Sequence, residues 1–223
     1  MEVFSPPFND RREAGALLAK AVRKHALEQP ILILGLPRGG VSVAYEVARE
    51  LCAPLDAMVV RKIGMPGQPE LAIGAIAGQT IVRDTGSPAV VNTKTFEKLV
   101  QREQAELRRR ERAYRRGLPP LDLKGRTVLL VDDGLATGCT MIAAVREARR
   151  LHASAVVAAS PITSDSAEAL VRAEADALIT LKVAVSLSSV GAWYFDFDQV
   201  SDSEVCDFLQ LTPHRNAEPA RSS

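Results

Sequence analysis

Cysteine, histidine and aromatic residues are scarce in this chain of 223 residues, and their scarcity excludes several kinds of site. The three cysteines, Cys52, Cys139 and Cys206, are odd in number and far apart, so they predict neither a disulfide framework nor a zinc knuckle. The three histidines are equally scattered and indicate no metal site. Aromatic residues make up 4% of the chain, too few for a surface on which single-stranded nucleic acid stacks.

Long apolar runs and an excess of one charge are also missing. No apolar run approaches the roughly 20 residues that span a bilayer, and "MEVFSPPFND" lacks the basic and apolar regions of a signal peptide. The net charge of +1 creates no overall field that would favour nucleic acid or membrane. With 47% hydrophobic and 25% charged residues, the composition is that of a globular protein with a substantial core. We therefore expect a reduced, cytoplasmic protein that does not bind membranes.

Apolar runs alternate with amphipathic segments along the chain. "ILILGL", "RTVLLV" and "ASAVVAASPI" predict buried strands, while "VSVAYEVARELC" and "TMIAAVREARRLH" predict helices. "LDAMVVRKI" predicts one more strand, "GMPGQPELAIG" a loop, and "AIAGQTIVRD" a strand or a hairpin. This alternation predicts an α/β fold with a parallel central sheet flanked by helices. Such sheets bind ligands at the carboxyl ends of their strands, where loops 36–40, 62–74 and 132–140 are expected to converge.

The stretch "VLLVDDGLATGCT", residues 128–140, carries the most specific chemistry. Asp132 and Asp133 lie where a buried strand surfaces, and two neighbouring carboxylates raise the pKa of one of them unless a cation or hydroxyl groups compensate. Magnesium and the hydroxyls of a sugar are suitable compensators. The following residues lead into a helix, whose first N–H groups attract an anion. Gly138 permits a close backbone approach, and Thr137 and Thr140 add hydroxyl donors. A ribose 5-phosphate would satisfy both halves.

Three other interpretations of this stretch are weaker. In the first, Asp132 and Asp133 are ordinary loop residues and Thr140 only caps a helix, but the whole string is too specific for that. A receiver domain also has an acidic pair after its first strand, but "ATGCT" has no counterpart there and a long α/β region precedes it. A nucleotide P-loop requires a lysine that is missing here.

The same stretch resembles the phosphoribosyl-pyrophosphate (PRPP) signature of the type I phosphoribosyltransferases, and the resemblance extends over most of residues 30–205. It is closest to a bacterial group of predicted phosphoribosyltransferases whose acceptor is unassigned. The resemblance implies an enzyme that uses PRPP and Mg²⁺, releases pyrophosphate and transfers phosphoribosyl to a nitrogen nucleophile, usually a nucleobase. It also implies a single domain over 1–209 and a homodimer. The domain would include a helical insertion at 92–117 and a hood made of about 182–205 plus the N-terminal segment, with a flexible tail at 210–223.

The resemblance implies roles for three groups of residues at the donor site. Asp132 and Asp133 would be catalytic, holding the ribose hydroxyls and Mg²⁺. The loop around the 5-phosphate would consist of Ala136, Thr137, Gly138, Cys139 and Thr140. The pyrophosphate loop would consist of Arg38, Gly39 and Gly40 of "GLPRGG", with the cis peptide bond that is common in the family falling at Pro37–Arg38. Taken alone, "PRGG" would be an ordinary strand-to-helix turn.

Further residues would complete the catalytic machinery. Arg61 and Lys62 would stabilise the negative charge of the departing pyrophosphate, although a solvated strand end is the alternative interpretation. "GMPGQPELAIG" occupies the place of the family's mobile catalytic loop. In the hood, Val190, Trp193 and Tyr194 would bind the acceptor, although Trp193 would equally suit a core position.

Two residues depart from the family pattern. Ala136 replaces an aspartate of the 6-oxopurine enzymes, which weakens a hypoxanthine or guanine assignment. Cys139 replaces the usual glycine or lysine, and a thiol at a helix N-terminus is expected to have a lowered pKa and to be sensitive to oxidation.

Two alternative functions use the same features. One is a non-catalytic regulator that senses PRPP and binds nucleic acid through "QREQAELRRRERAYRRG". The mixed charges of that segment favour a solvated face or a dimer arm instead. The other is hydrolysis of a phosphoribosyl compound, with water in place of the acceptor.

Overall fold

A sheet of five parallel strands lies at the centre of the protein, and a sheet of three antiparallel strands packs beside it. The computed structural model describes residues 7–84, 91–185, 187 and 189–212, and leaves the side chains of residues 69 and 70 undescribed. The strands are β1 (Ile31–Gly35), β2 (Leu55–Ala57), β3 (Val60–Met65), β4 (Gln68–Ala77), β5 (Thr80–Arg83), β6 (Thr127–Val131), β7 (Ala155–Ser164) and β8 (Ala177–Ala184). The parallel sheet has the order β2-β1-β6-β7-β8. It confirms the α/β fold that the sequence predicts.

Helices cover both faces of the parallel sheet. They are α1 (Arg11–Arg23), α2 (Gly39–Leu51), α3 (Thr93–Tyr114), α4 (Cys139–Arg150), α5 (Asp165–Arg172) and α6 (Asp202–Gln210), with a 3-10 helix at Val190–Trp193. Every residue of β1 and β6 is buried. Successive side chains of a strand point to opposite faces, so Ile31 and Ile33 join a core with α1 and α2, whereas Leu32 and Leu34 join a core with α4 and α5. A sheet buried on both faces explains the continuous apolar runs.

The segment from residue 55 to residue 77 differs from the sequence-based expectation. "LDAMVVRKI" forms two strands, β2 in the parallel sheet and β3 in the antiparallel sheet. The segment expected to be a loop, 64–74, belongs largely to the hairpin of β3 and β4, in which Arg61 pairs with Ile76. The hairpin buries Ile63, Ile73 and Ile76 in the core. This apolar burial stabilises strands here, although the glycines and prolines of the segment are typical of loops. The predicted hairpin at "AIAGQTIVRD" is confirmed as β4 and β5.

The helical insertion packs against this hairpin. Its helix α3 buries Val100, Leu107 and Tyr114 in the same core as Ile63, so the segment is more than a solvated face. Near the end of the chain, α6 packs against α2 and α3. The N-terminal segment joins the hood through a parallel bridge between Phe8 and Tyr194.

The expected domain limits stay a prediction, and residues 213–223 of the expected tail lie outside the described part. Within the part that the structure describes, no helix combines the length and apolarity needed to cross a membrane.

The turn between β4 and β5 generates the first testable prediction. Gly78 has φ +51°, and a Cβ at this position would lie 2.0 Å from Oε1 of Glu147 on α4. The Glu147 carboxylate cannot move freely, because it accepts hydrogen bonds from Arg150 (2.8 Å) and from the Thr80 hydroxyl (2.8 Å). We expect Gly78→Ala to lower the free energy of unfolding by roughly 2 to 4 kcal/mol, measured by urea denaturation.

Gly67 provides the matched control. It has φ +78° in the turn between β3 and β4, and an added Cβ would meet no atom within 4 Å. Gly67→Ala should therefore carry only the backbone cost of about 1 to 2 kcal/mol. Equal losses in the two variants would show that the contact between the turn and α4 contributes nothing.

Candidate functional site

The loops after β1 and β6 meet at the carboxyl edge of the parallel sheet, as the sequence predicts. A Cβ on Gly39 would lie 1.9 Å from Oδ2 of Asp133, and a Cβ on Gly40 would lie 2.7 Å from the carbonyl oxygen of Val131. Glycine is therefore required at both positions for the backbone of one loop to lie against the acidic residues of the other. The Pro37–Arg38 peptide bond is cis, as expected.

The two aspartates have different environments. Burial, followed by the neighbouring Asp133 carboxylate, raises the pKa of Asp132 well above its usual value, and the Asp133 N–H, which donates to Oδ1 of Asp132 at 2.9 Å, opposes this only in part. Asp133 instead forms an ion pair with Arg11, whose Nε lies 2.7 Å from Oδ2. A proton or an additional cation would therefore stabilise Asp132 more than Asp133.

Arg11 is a site residue that the sequence analysis missed. Its side chain is only 12% exposed, its guanidinium carbon lies 3.7 Å from the centroid of the Phe197 ring, and its Nη1 donates to the Asp198 carbonyl oxygen at 2.8 Å. Arg11 thus connects α1, the acidic pair and the hood. No sequence signal identified it, because an arginine in the first turn of a helix is ordinary and its partner lies 122 residues away.

The loop that follows the acidic pair is held open towards solvent. Leu135 forms a parallel bridge with Thr163, and the Ser164 hydroxyl donates to the Ala136 carbonyl oxygen at 2.7 Å. Gly138, with φ +73°, begins helix α4. The N–H groups of Ala136, Thr137 and Gly138 donate to no other residue that the structure describes. Three unpaired amides at a helix N-terminus form a cradle suited to an anion such as phosphate.

The predicted pyrophosphate cations have acidic partners. The Arg38 Nη1 lies 3.9 Å from Oδ1 of Asp202 on α6. Arg61 donates to Oε2 of Glu103 on α3 through Nη2 (2.7 Å) and Nε (3.0 Å). The next residue of the strand, Lys62, points to the opposite face and is exposed. The structure thus directs Arg61 towards α3 rather than into the site, and the roles of these three residues stay predictions.

The hood covers the acidic pair. A Cβ on Gly134 would lie 2.3 Å from Cγ1 of Val190, so Val190 packs directly on this loop. Tyr194 is buried between Phe8 and Phe197, with ring centroids 5.4 and 5.0 Å away, and its hydroxyl donates to the Asp133 carbonyl oxygen at 2.6 Å. Its ring offers no free face for stacking in this arrangement, which leaves Val190 and the half-buried Trp193 as the accessible members of the predicted acceptor set.

A model of the phosphoribosyl transferase domain matches residues 9–192, a range that contains the acidic pair and both loops. The chain belongs to the phosphoribosyltransferase family. Two proteins of Mycobacterium tuberculosis, each named "Putative phosphoribosyl transferase" (Rv0571c in strain H37Rv, MT0597 in strain CDC 1551), are 43% identical over 213 residues. Those residues are 94% of this chain but 47% of each relative, so the chain spans about half the length of the curated relatives it matches.

Solved structures support the same fold. The chain is similar to the protein TT1426 from Thermus thermophilus, with a TM-score of 0.75 and 43% identity over 91% of this chain and 97% of that one. Similarity to the AQ2163 protein of Aquifex aeolicus, with a TM-score of 0.50 and 15% identity, covers 83% of this chain and 85% of that one and shows the fold alone. Family membership confirms the resemblance carried by "VLLVDDGLATGCT".

The acidic pair of this phosphoribosyltransferase domain fits a hydrated magnesium ion. No group of three or more His, Cys, Asp or Glu side chains within the described ranges is arranged to hold a metal. Asp132, however, is a carboxylate that burial and a like charge destabilise. Magnesium is commonly bound by one or two carboxylates together with water and substrate phosphates, so Asp132 and Asp133 would suffice as protein ligands.

Cys139 corrects an expectation about this family site. Its thiol is buried, and burial, together with the nearby Asp84 carboxylate, raises its pKa to about 11 instead of lowering it. The expected influence of the helix N-terminus is therefore outweighed by the loss of solvent around the sulfur.

The hydroxyl of Tyr194 provides a test of how the hood is attached. Tyr194→Phe removes one hydrogen bond to the Asp133 carbonyl oxygen and preserves the packing of the ring. We expect a loss of about 1 to 2 kcal/mol in the free energy of unfolding, because a buried carbonyl loses its donor. In the control Tyr45→Phe, the hydroxyl bonds to no other described residue, and the change should be within about 0.5 kcal/mol. Equal effects would contradict the proposed attachment.

The raised pKa of Cys139 predicts slow chemistry at its thiol. At pH 8 roughly one Cys139 thiol in a thousand would be ionised, and the thiolate is the reactive form. Iodoacetamide followed by mass spectrometry should therefore modify the exposed Cys52 first and leave Cys139 unmodified until the protein unfolds. Labelling of native Cys139 as fast as Cys52 would restore the redox-sensitive interpretation.

Proposed function

We propose that this chain catalyses transfer of the phosphoribosyl group of PRPP to a nitrogen nucleophile, with Mg²⁺ as cofactor and pyrophosphate as product. The observation that carries the proposal is the contact between the partly buried acidic pair and the two glycines of the preceding loop, beside three amides that donate to no other described residue. The diol, the pyrophosphate and the 5-phosphate of PRPP would each have a matching group at this one edge of the sheet.

The 5-phosphate and the ribose would occupy the loop after β6. The N–H groups of Ala136, Thr137 and Gly138 would donate to the phosphate oxygens, and the hydroxyls of Thr137 and Thr140 would add two further donors. Asp132 and Asp133 would accept hydrogen bonds from the ribose hydroxyls. Cys139 would contribute its backbone rather than its protonated thiol.

Pyrophosphate would lie over the loop after β1. The backbone of Gly39 and Gly40 lets a bulky anion come close, and Arg38 is the cation nearest in sequence. At 3.9 Å the contact of Arg38 with Asp202 is loose, so the side chain can exchange Asp202 for a phosphate oxygen at little cost. Arg61 would have to leave Glu103 to contribute, and Lys62 lies on the exposed face of the same strand.

Bond cleavage at the anomeric carbon moves negative charge onto pyrophosphate. Bound at the acidic pair, Mg²⁺ would supply the charge that neutralises the leaving group. Arg38, once it has exchanged Asp202 for a phosphate oxygen, would stabilise the same charge. The hood, attached through Tyr194 and packed through Val190, would exclude the water that would otherwise attack the sugar.

The acceptor would enter beside the hood. Val190 and Trp193 are the accessible residues there, and an aromatic ring suits a flat nucleobase-like acceptor. A nucleobase acceptor, a cytoplasmic location and a homodimer are parts of this proposal.

The charge pattern of α3 favours the enzyme over the nucleic-acid-binding regulator. Glu103 binds Arg102, Glu106 binds both Arg109 and Arg110, and Asp56 binds Arg115. These partners break up the continuous positive surface on which phosphate-driven binding depends.

Two measurements test the proposed reaction. Isothermal titration with PRPP should show binding that strengthens when Mg²⁺ is added, and pyrophosphate should be released when a panel of bases is supplied. Asp132→Asn should remove the Mg²⁺-dependent part of the binding and the turnover. The same variant should raise the free energy of unfolding at pH 8, because the raised pKa makes the charged Asp132 destabilising there.

The sign of the stability effect follows from linkage. A raised folded-state pKa favours folding below the unfolded-state value of about 3.9, and this advantage is lost as pH rises through the folded-state pKa. The gain from Asp132→Asn should therefore be larger at pH 8 than at pH 5. Asp207→Asn, an identical change on the exposed surface of α6, is the control and should change neither binding nor stability. PRPP binding unaffected by Asp132→Asn would refute the proposed site, and tight binding without turnover would favour the sensor.

A further inference from the structure

A second cleft lies away from the acidic pair. It is bounded by the C-terminal half of α3, the connection between β2 and β3, the turn at Gly78 and the end of α4. Its volume of about 510 Å³ is in the range of sites that hold small molecules. Helix α4 has 12 residues and is about 18 Å long, with the phosphate cradle at its start and this cleft at its end. The two sites are therefore separate.

The cleft has an apolar floor. Met58, Val59 and Leu107 line it and are each at most 3% exposed. Leu118 and Leu121 add partly buried side chains from the segment after α3. A ring or short hydrocarbon seated here would cover the exposed apolar surface of Leu118 and Leu121, because the floor residues are already covered by protein.

Two of the four arginines that line the cleft form no ion pair or hydrogen bond with a described residue. Of the arginines that line it, Arg115 is bound by Asp56 (3.0 Å) and Arg150 by Glu147 (2.8 Å). Arg108 and Arg112 are exposed and make no hydrogen bond or ion pair with any residue in the described ranges. They are four residues apart on α3, so they project from the same side of the helix.

A carboxyl group lies near these arginines. Glu111 is half-buried and lines the cleft, and its carboxyl group has no hydrogen bond to a described residue. Burial raises its pKa, and Glu147 acts in the same direction, while Arg115 and Arg108 oppose the shift. When protonated, Glu111 can donate a hydrogen bond to an occupant.

We propose that this cleft is a second ligand site, which binds a small organic anion. The apolar body of the ligand lies against Leu118 and Leu121. Its phosphate or carboxylate group contacts Arg108 and Arg112. Guanidinium groups match the planar pairs of oxygens in both kinds of anion.

The position of the cleft connects it to Arg61. Its floor at Met58 and Val59 leads directly into β3, and Leu107 lies one helical turn after Glu103, the partner of Arg61. An occupant would therefore contact both segments that hold Arg61. An effect of the occupant on pyrophosphate release, through Arg61, rests on the proposed function. Binding of the occupant to the cleft does not.

Isothermal titration with three probes tests the site. 1-Naphthyl phosphate and 1-naphthoate carry the two candidate anionic groups on the same ring, and 1-naphthol is the uncharged comparison. We expect saturable binding of at least one anion, at least tenfold tighter than 1-naphthol, and the stronger of the two identifies the anionic group preferred. Arg108→Ala/Arg112→Ala should weaken anion binding at least tenfold.

The control removes the same charge elsewhere. Lys98 and Arg116 are exposed, lie outside the lining of the cleft and have no partner among the described residues. Lys98→Ala/Arg116→Ala should leave the affinity within twofold of the parent protein. If both double variants lose affinity equally, nonspecific attraction to positive charge explains the binding and the proposal is wrong.

Hydrogen exchange determines where the probe binds. Binding in the cleft should slow exchange at residues 57–59 and 107–112 and leave residues 134–140 unchanged. Protection confined to 134–140 would place the probe in the phosphate cradle and overturn the proposal. A dimer seen by sedimentation, with slow exchange at residues 107–112 in the absence of probe that is lost on dilution to the monomer, would show that the cleft is an interface and would overturn it as well.

Discussion

The repulsion between Asp132 and Asp133 is the constraint around which the site is arranged. β6 delivers two adjacent carboxylates to the edge of the sheet, where burial makes charge costly. The surrounding segments offset that cost in different ways. Arg11 forms an ion pair with Asp133, and the Asp133 amide donates to Asp132. The Tyr194 hydroxyl of the hood donates to the Asp133 carbonyl oxygen. Asp132 therefore remains a carboxylate that a cation or a sugar hydroxyl would stabilise.

The antiparallel hairpin and α3 form a unit that reaches the site from the side. Glu103 is buried against the hairpin and holds Arg61, while Tyr114 donates to Oδ1 of Asp202 at 2.6 Å, the carboxylate that also approaches Arg38. Arg61 is thus held by a carboxylate of α3, and Arg38 lies near a carboxylate that Tyr114 of α3 contacts. The second cleft lies beside the same helix.

Several parts of the fold and site were predictable because they depend on neighbours in sequence. Apolar runs such as "ILILGL" encode strands buried on both faces, and the order acidic pair, small residues, helix encodes the phosphate loop. The cis bond at Pro37–Arg38 followed from the family pattern. The strands at 64–74 were not predictable, because the glycines and prolines there are typical of loops and burial against α3 and α4 makes strands favourable.

The sequence by itself determined the parallel sheet, the chemical character of its carboxyl edge and the family to which the chain belongs. The tertiary structure alone decided that Arg11 pairs with Asp133 across 122 residues, that Tyr194 is buried within the hood, and that the Cys139 thiol resists ionisation. The physical reason is the distance along the chain over which each interaction acts. Periodicity and turn chemistry act over a few residues, whereas solvent exclusion and ion pairing depend on distant segments that meet only when the chain has folded.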